Sequence, residues 1–129
     1  MIRRAYTFDE VALVPQFNNI PSRTEPTLDT WLTRNRRLSL PLVPANMDSV
    51  VGDDLAKVII ENGGMPIFHR FTTAEEQEQW VRRYEEQTFI SCGMHDIDRV
   101  RALLDLGAAG VCIDIAHGHS DQMKIGRAS

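Results

Sequence analysis

Asp114 closes an apolar run, Val111-Cys112-Ile113, and is followed by Ile115-Ala116 and then by His117-Gly118-His119-Ser120. A carboxylate placed where a hydrophobic stretch turns polar and glycine-containing can meet a ligand, because buried parallel strands present their chemistry at their C-terminal ends. It can equally cap a helix started by Ser120 and Asp121. His117 and His119, with Asp114 nearby and His69 from another segment, are donor types that zinc accepts. Gly118 between the two imidazoles reads as a turn, however, and no further Asp/His set with metal spacing follows. A second segment repeats the first design: Leu38-Ser39-Leu40-Pro41-Leu42-Val43-Pro44-Ala45 runs into Asn46-Met47-Asp48-Ser49 just before a helical pattern.

Two segments of one design require elements that hold them side by side. The spacing predicts a strand at about 41–45, then a helix with Asp53 and Asp54 in its first turn, Leu55, Val58 and Ile59 on one face, and Gly63-Gly64 as its stop. Met65 to Arg70 reads as the next strand. Thr72 or Thr73 caps a helix with Glu75 and Glu76 in its first turn and Trp80, Val81 and Tyr84 on its apolar face. Phe89 to Gly93 is a third strand, Asp96 to Leu106 a third helix ended by Gly107, and Gly110 to Ile115 a fourth strand. Four βα steps, the last incomplete, predict an α/β architecture of parallel repeat units, either an open layer or half of a TIM (β/α)8 barrel. A closed barrel needs roughly 250 residues, about twice this length. Residues 1–37 read as an N-terminal arm holding a short capped turn near Tyr6 to Pro15, 38–121 as the βα units, and 122–129 as a tail.

Length and composition bound the rest. The 129 residues make one domain, and 43% hydrophobic with 25% charged residues suits an ordinary core. A net charge of −4 offers no basic face to a phosphate backbone, and the Arg34, Arg36, Arg37 cluster, able to meet an anion, reads first as solvated loop charge. No nucleic-acid partner is expected. No apolar run approaches the roughly 18 residues that cross a bilayer, and no apolar signal core follows Met1, so no membrane association is expected either. Cys92 and Cys112, both in predicted buried strands, read as free thiols of a reducing, cytoplasmic setting.

Five motifs, in order, resemble the IMP dehydrogenase/GMP reductase family. They are Tyr6 to Pro15, Pro21-Ser22-Arg23-Thr24-Glu25, Pro44-Ala45-Asn46-Met47-Asp48-Ser49-Val50, His69-Arg70-Phe71, and Ile113-Asp114-Ile115-Ala116-His117-Gly118-His119-Ser120. The last looks closer to the GMP reductases. The resemblance implies a (β/α)8 barrel that moves a hydride between the C2 of a purine nucleotide, GMP or IMP, and NADP or NAD, through a covalent thioimidate on a loop cysteine. It implies that Asp114, Ile115 and Ala116 lie along the nicotinamide riboside, with the carboxylate accepting from ribose hydroxyls. Ser22 and Arg23 match an N-terminal cofactor contact, Arg70 stands where many reductases carry a lysine near the dinucleotide, and Asn46 and Met47 match the contact to the nucleotide base. Each also has a plain reading: Met47 as core filler, Arg70 as a helix-entry charge, Asn46 as an Asx-turn residue, Ser22-Arg23 as a loop.

The family's Gly-Pro-Gly-x-x-Cys loop has no counterpart here, and the potassium-site carbonyls that accompany it are likewise missing. Lys124-Ile125-Gly126 echoes its entry only faintly. Cys92 and Cys112 are not substitutes, because burial raises a thiol's pKa and hides its sulfur. The expectation is therefore a truncated purine-nucleotide oxidoreductase without a catalytic cysteine, associating as a homo-oligomer or with a completing half. Two alternatives stand beside it: a non-catalytic, self-associating half-barrel interaction module, and a metal-dependent hydrolase built on His117 and His119.

Overall fold

A computed structural model describes residues 3–121 and Met123; the Lys124-Ile125-Gly126 echo and most of the expected tail lie outside the described residues. The chain is mixed α/β. An antiparallel hairpin of β1 (Thr30–Thr33) and β2 (Arg36–Leu38) comes first. Then follow α1 (Asp53–Glu61), β3 (Ile67–Phe68), α2 (Ala74–Tyr84), β4 (Phe89–Cys92), α3 (Ile97–Asp105) and β5 (Gly110–Ile113). The strands β3, β4 and β5 form one parallel sheet in that order, with Phe68 beside Ile90, and Ile90 beside Val111.

Each helix begins and ends for a local reason. Thr73, not Thr72, caps α2, its hydroxyl accepting the Glu76 backbone N–H at 3.2 Å. Thr72 instead hydrogen-bonds the Glu76 carboxylate. α1 opens on Asp53 and Asp54 and stops at Gly63, whose φ of +81° is a left-handed conformation that a side chain resists. A Cβ there would also fall 1.8 Å from the Ser39 hydroxyl. Gly107, at φ +108°, ends α3 in the same way.

The core lies between the helices and one face of the sheet, where Val51, Ala56, Phe68, Trp80, Val81, Ile90 and Leu103 are buried. Phe68 stacks on Trp80 at 4.3 Å between ring centroids and lies 5.8 Å from Tyr84. The Tyr84 hydroxyl donates to Asp53 at 3.1 Å, and Arg83 forms an ion pair with the same carboxylate, so α2 is tied to the start of α1.

Three expectations need correction. The strand expected at 41–45 does not form. Pro41 and Pro44 have no N–H for a ladder, the Leu42 N–H turns back to Leu40 O at 2.8 Å and Ala45 O takes the Met47 N–H at 2.8 Å, while Leu40 N–H to Gly63 O and Met65 N–H to Leu42 O tie the segment to residues 63–65. Second, Arg36 and Arg37 are strand residues rather than loop charges; Arg37 is paired with Asp29 at 2.9 Å, and alternation in so short a hairpin is too brief to read. Third, β5 is half-exposed along its whole length instead of buried, because among the described residues only β4 pairs with it. Cys112 is accordingly half-buried while Cys92 is buried.

Residues 3–29 are exposed throughout, with one 3-10 turn at Phe8–Glu10. Its capping follows the Thr-x-x-Glu pattern: the Glu10 carboxylate accepts the Thr7 backbone N–H at 2.9 Å, which holds that carboxyl below its usual range. No helix among the described residues is long and apolar enough to cross a membrane.

Candidate functional site

The polar residues that share one place do so at the carboxyl end of the parallel sheet. Along β4, Ile90 faces the helices, so alternation turns Ser91 to the opposite face; its register partner on β5 is Cys112, and Asp114 follows two residues later on that face. Asn46 reaches the same face from the irregular segment before α1, its Nδ2 donating to Ser91 Oγ at 2.8 Å. The Asp114 backbone N–H continues the ladder to Cys92 O at 2.9 Å, so the carboxylate is presented by a regular strand end.

Arg70, just beyond β3, spans the sheet end to Asp114, its Nε 3.4 Å from Oδ2. The contact is ionic without hydrogen-bond geometry: Arg70 Nε is buried and has no hydrogen-bond partner among the described residues. About a third of each side chain remains open to solvent. The Arg70 guanidinium also lies 4.6 Å from the centre of the Phe71 ring, which holds it in place. The solvent-facing part of the guanidinium and the part-exposed carboxylate beside it can together take a phosphate or hydroxyl-bearing ligand.

The remaining sequence-derived positions are not brought to this cluster by any hydrogen bond. Ser22 and Arg23 are exposed, and among the described residues the Ser22 hydroxyl bonds only to Thr24, at 2.8 Å. Met47 is half-exposed, its backbone serving the turn that leads to Val51. Ile115 and Ala116 continue outward from Asp114. His117 Nδ1 accepts the His119 backbone N–H at 3.3 Å, and no group of three or more His, Cys, Asp or Glu among the described residues is arranged to hold a metal. Both thiols are pushed up: Cys92 by burial first and then Asp96, Cys112 by burial first and then Asp114.

Sequence reasoning missed two residues here, Ser91 and Gln77. Ser91 is a lone hydroxyl inside the apolar strand Phe89-Ile90-Ser91-Cys92, and Gln77 is a lone amide three and four residues before Trp80 and Val81 on the buried face of α2. A single polar residue on an apolar stripe is the signal that would have found both.

The family model for the IMP dehydrogenase / GMP reductase domain matches residues 5–126. The chain belongs to that family. Among IMP dehydrogenase/GMP reductase family relatives, it is 35% identical over 124 residues to the GMP reductase of Lactobacillus gasseri, covering 91% of this chain and 37% of that protein. It is 43% identical over 79 residues to the inosine-5′-monophosphate dehydrogenase of Nitrosopumilus maritimus, covering 61% of this chain and 17% of that one. The crystal structure of inosine 5′-monophosphate dehydrogenase from Legionella pneumophila superposes with a TM-score of 0.82 at 34% identity, over 97% of this chain and 41% of its own. The chain thus spans less than half the length of these family members, and its mixed α/β layer fits part of a TIM barrel.

Proposed function

We propose that this chain is the N-terminal, cofactor-contacting part of a purine-nucleotide oxidoreductase, half of a (β/α)8 barrel that acts on GMP or IMP with NADP or NAD. The observation that carries this reading is the Arg70–Asp114 pair at the carboxyl end of the sheet, beside Asn46. The residues fit a dinucleotide: Asp114 accepts ribose hydroxyls, the solvent-facing part of the Arg70 guanidinium meets a phosphate or the ribose edge, and Ile115 and Ala116 flank the riboside. Ser22 and Arg23 join as a second contact from the arm. The nicotinamide, when bound, supplies the hydride acceptor or donor. Asn46 and Met47 face the purine base, Asn46 with its amide steadied by Ser91. The Asp114-Ile115-Ala116-His117-Gly118-His119-Ser120 segment favours the reductase direction, GMP with NADPH.

The chain by itself binds rather than turns over, because neither raised thiol is a nucleophile at neutral pH. The half-exposed β5, whose second edge is unpaired among the described residues, is where a completing half or a second copy pairs. Two free thiols suit the cytoplasm.

Titration calorimetry with NADPH and NAD tests the reading. Asp114→Ala weakens dinucleotide binding by about tenfold, the size of a lost hydrogen bond to a charged group, whereas Cys92→Ser leaves it unchanged. Equal affinity in the Asp114→Ala protein removes the site. The absorbance assay with GMP plus NADPH, and with IMP plus NAD, is expected to show no turnover; turnover would overturn the role given to the missing cysteine.

A further inference from the structure

Gln77 is 1% exposed, a polar amide on the otherwise apolar face of α2. Its two amide hydrogens are both used: Nε2 donates to His69 O at 2.9 Å and to Ser91 O at 3.1 Å. These carbonyls mark where two strands part. The β3–β4 register runs Ile67 with Phe89 and Phe68 with Ile90, so His69 and Ser91 would be the next pair, yet the ladder has ended. The β4–β5 ladder, by contrast, continues to Cys92 with Ile113 and on to Asp114. The Gln77 amide stands in for the missing rung and holds the split at one width.

Both held carbonyls belong to residues that carry the site. His69 immediately precedes Arg70, and Ser91 bears the hydroxyl that receives Asn46. We infer that Gln77 is a positioning residue that sets the spacing of Arg70 and Asn46 at the carboxyl end of the sheet, reaching the ligand only through His69 and Ser91. The inference rests on the dinucleotide reading for its effect on binding, and on geometry alone for the clamp.

The decisive variant is Gln77→Met, which keeps the volume and removes both donors. Expected are a folded protein, displaced NMR resonances for the Asn46 side-chain amide and the Arg70 Nε–H, and NADPH affinity weakened about fivefold to tenfold. Val81→Ala, a core truncation that lowers the melting temperature without touching the carbonyls, leaves the affinity unchanged, which separates positioning from general loss of stability. Unmoved Asn46 and Arg70 resonances in folded Gln77→Met protein overturn the clamp. Moved resonances with unchanged NADPH affinity overturn the positioning role. If the wild-type chain binds no dinucleotide, the functional reading fails while the resonances still decide the clamp. Should Gln77→Met not fold, exchange of the Gln77 side-chain amide protons in wild-type protein decides: slow exchange supports the two carbonyl bonds, and exchange at the rate of an exposed glutamine overturns them.

Discussion

Residues 3–29 carry two of the five motifs and residues 65–93 only His69-Arg70-Phe71, yet the two stretches are held in opposite ways. In the first stretch every side chain is exposed, and the hydrogen bonds up to Glu25 join residues no more than three apart, Thr7 to Glu10, Asn18 to Ile20, Ser22 to Thr24. In the second, Phe68 is buried among Trp80, Tyr84 and Ile90, Gln77 ties separate elements together, and Asn46 and Arg99 bond into the stretch from outside it. A motif residue in the first stretch has an identity and no fixed address. In the second it has both.

The sharpest way to break the contrast is to truncate one aromatic in each stretch. Phe68→Ala leaves a cavity under two stacked rings and is expected to cost about 3–5 kcal/mol in urea unfolding. Phe17→Ser, at a position 96% exposed, is expected to change stability by no more than about 0.5 kcal/mol. Comparable losses at both positions would show that the first stretch packs against something in solution.

A second test stays within the packed region. Gly63→Ala forces a side chain into a left-handed backbone and against Ser39, and is expected to cost about 1–3 kcal/mol by the same measurement. An unchanged midpoint would mean that the α1 stop and the segment beside it move freely, and that Asn46 is less firmly placed than the Ser91 bond implies.

The legible and illegible parts of the sequence divide along this line too. The three helices, the glycine stops of α1 and α3 and the three parallel strands follow from periodicity that burial enforces, and Asp114 was visible because a strand end changes polarity at one residue. The segment at 41–45 misled because its apolar content resembles a strand while Pro41 and Pro44 withhold the donors a strand requires. The β1–β2 hairpin went unread because a three- or four-residue strand has too few alternations. The Asn46–Ser91 and Gln77–Ser91 bonds join residues far apart in sequence, and no local pattern reports a partner 45 positions away.

A smaller effect concerns the two thiols. Burial raises the pKa of Cys92 and of Cys112 from the ordinary value of 9.0, so the folded state holds their protons more tightly than the unfolded chain does. Their contribution to stability is therefore full below pH 9 and is lost as pH climbs through the raised values. Stability measured from neutral pH upward is expected to fall in that alkaline window, and the fall is expected to shrink in the Cys92→Ser, Cys112→Ser double variant. An alkaline slope untouched by the double substitution would assign it to other groups, such as Tyr84, whose hydroxyl burial also pushes up.

The smallest expected effect is the most informative about the site. Arg70 and Asp114 are each about a third exposed and meet without a hydrogen bond, so solvent screening leaves their coupling to folding small. A double-mutant cycle of Arg70→Met and Asp114→Asn in urea is expected to return at most about 0.5 kcal/mol of interaction energy. If Arg70 and Asp114 hold the dinucleotide as proposed, the same four proteins titrated with NADPH are expected to show a clear loss of affinity for each single change. A pair that proved strongly coupled in folding and indifferent to NADPH would be a structural strut, and the carboxyl end of the sheet would then resemble the core rather than a site.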